Sequence, residues 1–194
     1  MTVPSDPIEF FTRYVPERFA TVASEFAGRS SAGSLVFEVE GAGAWSFRLA
    51  EGALGIEQGV AADAILRISI ARTAFEPLVV KSAARFAGAP ASLERQLIAL
   101  RALNLDAERA ALIREIAGSV AISIVDQGVP SRIVLTPGSA APNLEKPDCE
   151  VSLDLEDFLA LQQSQANPIE LLMNNKLRIT GNAQIALALS GLFV

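Results

Sequence analysis

The sequence predicts an α+β protein in which one strand-and-helix unit is used twice. Three observations predict it. Ala62-Asp63-Ala64-Ile65-Leu66-Arg67-Ile68-Ser69 parallels Pro147-Asp148-Cys149-Glu150-Val151-Ser152-Leu153-Asp154, and the run Leu78 to Gly88 parallels Leu171 to Gly181. Strand-like segments with period two fill each half, giving one apolar and one mixed face as in a mainly antiparallel sheet covered on one side. Helical stripes flank them. A repeat is one architecture used twice, so the chain divides into units at 1–105 and 106–194.

The elements follow in order. Asp6 caps a helix with Pro7 at its first position, running to about Ala27. Ile8, Phe11, Val15 and Phe19 form its apolar stripe, widened by Phe10 and Tyr14, and Pro16 is a kink point. Leu35, Phe37 and Val39 mark the first strand. Trp45, Phe47 and Leu49 mark the second, after the Gly41-Ala42-Gly43 turn. Leu54 to Gln58 is the third, after Glu51-Gly52, and Ala64, Leu66, Ile68 and Ile70 mark the fourth. Arg72 to Val80 reads as a short helix and Ala84-Arg85-Phe86 as a brief fifth strand. A helix opened by Pro90 carries Leu93, Leu97, Leu100 and Leu103.

The second unit repeats the order. Asp106 caps a helix; Val120, Ile122 and Ile124, then Ile133 and Leu135, form strands. Thr136 to Asn143 is a loop, and Val151, Leu153 and Leu155 mark the next strand. Helices follow over Glu156 to Gln163 and from Asn167-Pro168 to Asn174. Leu177 to Gly181 is the last strand, and Asn182 caps a closing helix with Ile185, Leu189, Leu192 and Phe193 on one stripe. The offset between copies grows from 85 residues at Asp63/Asp148 to 93 at Gly88/Gly181, so the second copy is longer around residues 160–170.

Composition narrows the chemistry. The chain has no histidine, which removes the commonest general base and metal ligand and every Ser-His-Asp or Cys-His arrangement. The lone Cys149 excludes an internal disulfide framework and reads as a small buried hydrophobe. Net charge is −6. Residues 1–105 balance ten Lys/Arg against eleven Asp/Glu, and residues 106–194 hold six against eleven. Neither half has the basic footprint of nucleic-acid binding. No apolar run approaches the roughly 18 residues of a membrane span. The start, Met1 to Pro7, lacks a signal-peptide pattern, so a cytoplasmic protein is expected. Catalytic residues, metal sites and cofactors are expected to be absent.

Pro147-Asp148-Cys149-Glu150-Val151-Ser152-Leu153, Asp157 to Leu161, Asn167-Pro168, Lys176-Leu177-Arg178-Ile179-Thr180-Gly181-Asn182 and Leu187 to Phe193 together resemble the sterol-binding domain of the sterol carrier protein family. The resemblance covers nearly all of residues 118–194. The first half matches more loosely, through the Gly41-to-Trp45 turn, Gly52, Gly59, Ala62-Asp63 and Arg85 to Gly88, and has no Asn-Pro helix start. The resemblance implies two sterol-carrier-like units of about five strands with helices on one face. It implies a noncatalytic protein that holds a fatty acid, sterol or related lipid in an apolar cavity.

The second copy, with the fuller motif, is the expected binding unit. Its candidate ligand-binding residues are Phe158, Leu161, Leu172, Met173, Ile179, Ile185, Leu189 and Phe193. Each could simply be core instead. Trp45 reads as strand core, and Asp63 and Asp148 as turn or cap residues. A transient membrane contact, a homodimer or an enzyme partner fits the same pattern. The rival reading is a protein-interaction or accessory scaffold module for lipid or isoprenoid-quinone biosynthesis.

Overall fold

The computed structural model describes residues 2–86, 103–162 and 165–190. The sequence-predicted helix over Leu93, Leu97 and Leu100 lies outside them. Asp6 caps α1 (Pro7–Glu9) by accepting from the Glu9 amide at 3.1 Å. A π-helical turn, Phe10–Tyr14, then leads into α2 (Val15–Ala20). Pro16 has no N–H to give to an i−4 carbonyl, and the wider turn before it absorbs that loss. The turn also rotates the stripe. Phe10, Phe11, Tyr14, Val15 and Phe19 are buried, whereas Ile8, expected inside, is 53% exposed.

The strands are β1 (Ser34–Val39), β2 (Gly43–Ala50), β3 (Ala53–Gln58) and β4 (Ala64–Ile70). After the second helical segment come β5 (Val120–Asp126), β6 (Val129–Pro137), β7 (Cys149–Asp154) and β8 (Arg178–Gly181). The β2–β3 and β5–β6 hairpins close through two-residue turns. Glu51-Gly52 and Gln127-Gly128 hold positive φ at both central positions, the type I′ geometry that matches strand twist.

Among the described residues these strands form one sheet, in the order β3-β2-β1-β4-β6-β5-β7-β8. The expectation of two units of roughly five strands each is corrected here to a single eight-stranded, mainly antiparallel sheet among the described residues, with parallel pairs at β1–β4 and β5–β7. The reason lies in β4 and β6. The edge of β4 that a fifth strand would take pairs with β6, over Leu66↔Pro137 to Ile70↔Ile133. Ala84-Arg85-Phe86, expected as that fifth strand, is helical instead. It ends the run α3 (Arg72–Phe75), a π turn (Glu76–Val80) containing Pro77, and α4 (Lys81–Phe86).

The register puts Leu35, Phe37 and Val39 of β1, Leu66, Ile68 and Ile70 of β4 and Val120, Ile122 and Ile124 of β5 on one face. Helices cover that face. Phe11 lies 4.7 Å from Trp45 and 5.5 Å from Phe37, and Phe10 meets Phe75 edge to face at 5.5 Å. The remaining helices are α5 (Ala107–Glu115), α6 (Leu155–Gln162), α7 (Pro168–Met173) and α8 (Ala183–Ser190). Asp106, Asn167 and Asn182 cap α5, α7 and α8 as the sequence predicts. One buried apolar cluster runs from Phe10 through Leu66 to Leu189.

Arg114 on α5 ties the halves together. Its guanidinium donates to the carbonyls of Ala32, Asp63 and Ala64 at 3.0, 3.0 and 3.2 Å. A shared core and continuous sheet make the chain one cooperative unit. In urea, fluorescence of Trp45, the chain's single tryptophan and a residue of the first half, will therefore unfold in the same transition as the far-UV signal of the whole protein. Two resolved transitions would show instead that the halves fold independently.

Candidate functional site

On the helix-covered face, strand pairing lines up Ile133 of β6, Ile122 of β5, Val151 of β7 and Ile179 of β8. Adjacent strands lie about 4.8 Å apart, so this cross-strand row is a wall of about 14 Å. All four side chains are half-buried. The rows on either side are sealed: Leu135, Val120 and Cys149 on one, Ile124 and Leu153 on the other. Among the described residues, the row is the part of this face that the helices of the second half leave incompletely covered.

The sequence-predicted site residues divide into groups. Phe158 and Leu161 of α6 are half-buried against the core, beside half-buried Leu155, and Ile179 is the β8 member of the row. Ile185 and Leu189 of α8 are buried, 7% and 1% exposed, and belong to the core cluster. Leu172 and Met173 point outward, 45% and 77% exposed, with Ile169 at 65%. Phe193 lies outside the described residues. The wall residues Ile122, Ile133 and Val151 were recognisable as inward strand positions, but only strand pairing shows that they align.

The corresponding row of the first half is more fully covered, with Trp45 and Ile68 buried and Phe37 half-buried. Trp45, Phe37 and Ile68 align across β2, β1 and β4 as Ile133, Ile122 and Val151 do across β6, β5 and β7. The Phe11 ring packs onto Trp45 and Phe37.

The wall carries no polar side chain. Cys149 is buried in the neighbouring row, and burial, the largest influence, pushes its thiol above the ordinary value despite a hydrogen bond with the Ala186 backbone. Among the described residues no cluster of three or more His, Cys, Asp or Glu could hold a metal. Asp148 is occupied structurally. Its carboxylate accepts from the Ser119 amide at 2.8 Å and hydroxyl at 3.2 Å, and its carbonyl accepts from the Asn182 amide at 2.9 Å.

The opposite face is polar and pinned by two arginines. Arg67 binds both carboxylate oxygens of Glu38, at 2.7 and 3.1 Å, and reaches the Ala140 carbonyl; Ser69 donates to Glu38 at 2.8 Å. Arg132 pairs with Glu150, which also accepts from Ser123, and reaches the Leu144 carbonyl. The loop bearing Ala141, Pro142 and Leu144 borders a groove of about 450 Å³ over Glu38, Arg67 and Ser69. Burial pushes Glu38 up, but Arg67 and Ser69 outweigh it and hold its carboxyl below the usual range. The Ser123 hydrogen bond, then Arg132, do the same for Glu150 against a smaller burial penalty.

These geometries meet the comparisons with known proteins as follows. Residues 99–194 match the SCP-2 sterol transfer family. Human sterol carrier protein 2 is 41% identical over 56 residues, 28% of this chain; the chain thus spans only a tenth of that relative's length. Among solved structures, the sterol carrier protein domain 2 of Helicoverpa armigera is 26% identical, with 42% of this chain and 69% of that one covered and a TM-score of 0.35. A sterol carrier protein 2 like 2 from Aedes aegypti is 18% identical, with 62% and 96% covered and a TM-score of 0.34. A UbiJ-SCP2 ubiquinone synthesis protein is 16% identical, with 61% and 95% covered and a TM-score of 0.37.

The whole wall, from Ile122 to Ile179, falls inside the SCP-2 region. So does Gly181, where β8 turns toward α8. It sits at φ +82°, and an added Cβ would stand 2.4 Å from the Asp148 carbonyl oxygen. Gly128 has a similar φ of +84° but open space around it. Gly181→Ala will cost stability well beyond the roughly 1 kcal/mol expected for Gly128→Ala, read as the shift in urea midpoint.

Acid stability follows from the two glutamates. Their folded pKa values lie below the ordinary 4.5, so their contribution is present above that value and lost as pH falls through the lowered folded value. Glu38→Gln and Glu150→Gln will each flatten the loss of stability below pH 4.5 in urea titrations at stepped pH.

Proposed function

We propose that the SCP-2 region binds one hydrophobic small molecule, a fatty acid, sterol or related lipid, along the row Ile133, Ile122, Val151 and Ile179, without chemical turnover. The observation that carries this is four aligned, half-buried apolar side chains with no polar group among them. Removing an apolar chain from water is worth about 0.8 kcal/mol per CH₂, so a long tail binds such a wall without specific polar chemistry. Phe158 and Leu161 flank the ligand in this reading.

The N-terminal half is then a diverged copy that no longer binds. Gly33, Ser34 and Asp63 recur as Gly118, Ser119 and Asp148 at a constant offset of 85. In both places the serine hydroxyl donates to the aspartate. Phe11 occupies the row that a ligand takes in the second half. The absence of histidine supports a nonenzymatic role.

A second reading is favoured by α7, where Ile169, Leu172 and Met173 stand exposed on one short helix. Exposed apolar side chains gathered in this way mark contact surfaces, and an accessory module for lipid or isoprenoid-quinone synthesis would use this one on an enzyme partner. One experiment separates the readings. Native mass spectrometry of the gently purified protein will show one retained lipid per chain, lost on denaturation. The double variant Ile122→Thr/Val151→Thr will bind a fluorescent fatty acid about tenfold more weakly, as expected when hydroxyls replace methyls on the wall. Leu172→Ser/Met173→Ser will leave that affinity unchanged. No retained lipid and no uptake of fatty acid, sterol or quinone would end the carrier reading and leave the α7 surface as the functional one.

A further inference from the structure

The sheet ends at β3, and that end is built to accept another strand. The Ala50-Glu51-Gly52-Ala53 turn makes Ala50 and Ala53 a hydrogen-bonded pair, and the Gly59 amide on the Ala44 carbonyl, at 2.8 Å, shows the same phase at the other end of the strand. Ala53, Gly55 and Glu57 therefore turn their backbone groups toward β2. Leu54, Ile56 and Gln58 turn theirs away from the sheet, and no described residue pairs with them. Edge strands are usually blunted by lysine, proline or a bulge. Between Ala53 and Gln58 there is none of these, and Gly55 has no side chain. β8, the edge at the other end, is only four residues long and begins with Arg178.

We infer that β3 is a self-association surface: a second copy of this chain pairs antiparallel with it about a two-fold axis at Ile56, extending the sheet. The pattern is self-complementary, as an isologous contact requires. In that register Leu54 meets Gln58 of the second copy, Ile56 meets its own counterpart and Gln58 meets Leu54. Each pair joins residues whose N–H and C=O both face outward. Opposite residues share a face, so the half-buried Leu54 and Ile56 continue the apolar face across the junction. The one charged side chain on the strand, Glu57, falls opposite Gly55 of the second copy, so the two acidic groups do not confront each other. One strand edge covers less area than a permanent dimer buries, so the association is weak and concentration-dependent. It involves the far end of the sheet from the proposed lipid wall and does not rest on that reading.

Gly55 supplies a test that leaves the fold alone. Its backbone is not in the left-handed region, and an added Cβ would find only the Arg48 carbonyl oxygen, at 3.8 Å. Gly55→Lys places a positive charge opposite Glu57 of the second copy, and Gly55→Glu a negative one. In sedimentation velocity over a concentration series, the wild-type chain will dimerise reversibly. Gly55→Lys will tighten the dimer several-fold and Gly55→Glu will loosen it several-fold, and raising the salt will bring the two together. Wild-type and Gly55→Lys chains that both stay monomeric at the highest concentrations would overturn the inference. So would a dimer whose strength shifts alike in both variants.

Discussion

The pairing of β4 with β6 is the interaction on which the rest of this structure depends. It sets Leu66 to Ile70 against Ile133 to Pro137 in unbroken antiparallel register. Each of these strands occupies the position at which the other half would have received a further strand. A sheet that is continuous across the joint has one apolar face instead of two, and so the chain has one core. Among the described residues it also has two edges, β3 and the short β8. Arg114 reinforces the joint by giving its donors to three carbonyls around the starts of β1 and β4. Those carbonyls belong to the first half, and the arginine belongs to the SCP-2 region.

The two faces of the sheet do different work. On the polar face the charged groups neutralise one another: Arg67 with Glu38, Arg132 with Glu150. Each arginine also holds a carbonyl of the segment between β6 and β7, so that segment is fastened across the polar face. Little is left there for an apolar ligand. On the other face, coverage depends on which helices arrive. The first half brings three phenylalanine rings, Phe10, Phe11 and Phe75, which bury Trp45, Phe47 and Leu49 and leave Phe37, Leu54 and Ile56 half-buried. The second half brings short helices whose inward residues are mostly leucine, isoleucine and alanine, with Phe158 the ring that meets the core from α6. These smaller side chains leave Ile122, Ile133, Val151 and Ile179 half-covered.

Much of this was legible in the residues. Alternation at Trp45-Phe47-Leu49 or Val120-Ile122-Ile124 depends only on the two-residue period of a strand, and Asp6, Asp106, Asn167 and Asn182 cap helices through local hydrogen bonds. Local signals of this kind survive folding. What failed was nonlocal. Ala84-Arg85-Phe86 matches the β8 motif in sequence, yet it is helical because β6 already holds the edge it would need. Ile8 sits on the predicted stripe, but the π turn ahead of Pro16 moves that stripe. The site was legible in the same uneven way. Ile179, Phe158 and Leu161, named from motif and stripe, are half-buried against the core. Leu172 and Met173 stand exposed because the neighbouring Leu171 takes the inward position of their helix.

Phe11 marks the clearest difference between the two halves of the sheet. Its ring lies on Trp45 and Phe37, which align with Ile68 as Ile133 and Ile122 align with Val151. An apolar row on a one-sided sheet has to be covered by something, because leaving it in water costs about 25 cal/mol for every Å². A protein can supply the cover from its own chain, which yields stability, or leave part of it to a partner molecule, which yields binding. The first half does the former with the Phe11 ring. The second half keeps Phe158 and Leu161 only partly inserted. The same arrangement of strands thus carries Trp45 and Phe37 under a phenylalanine ring at one end of the sheet and a half-buried aliphatic row at the other, and the difference is one of side-chain size and not of topology.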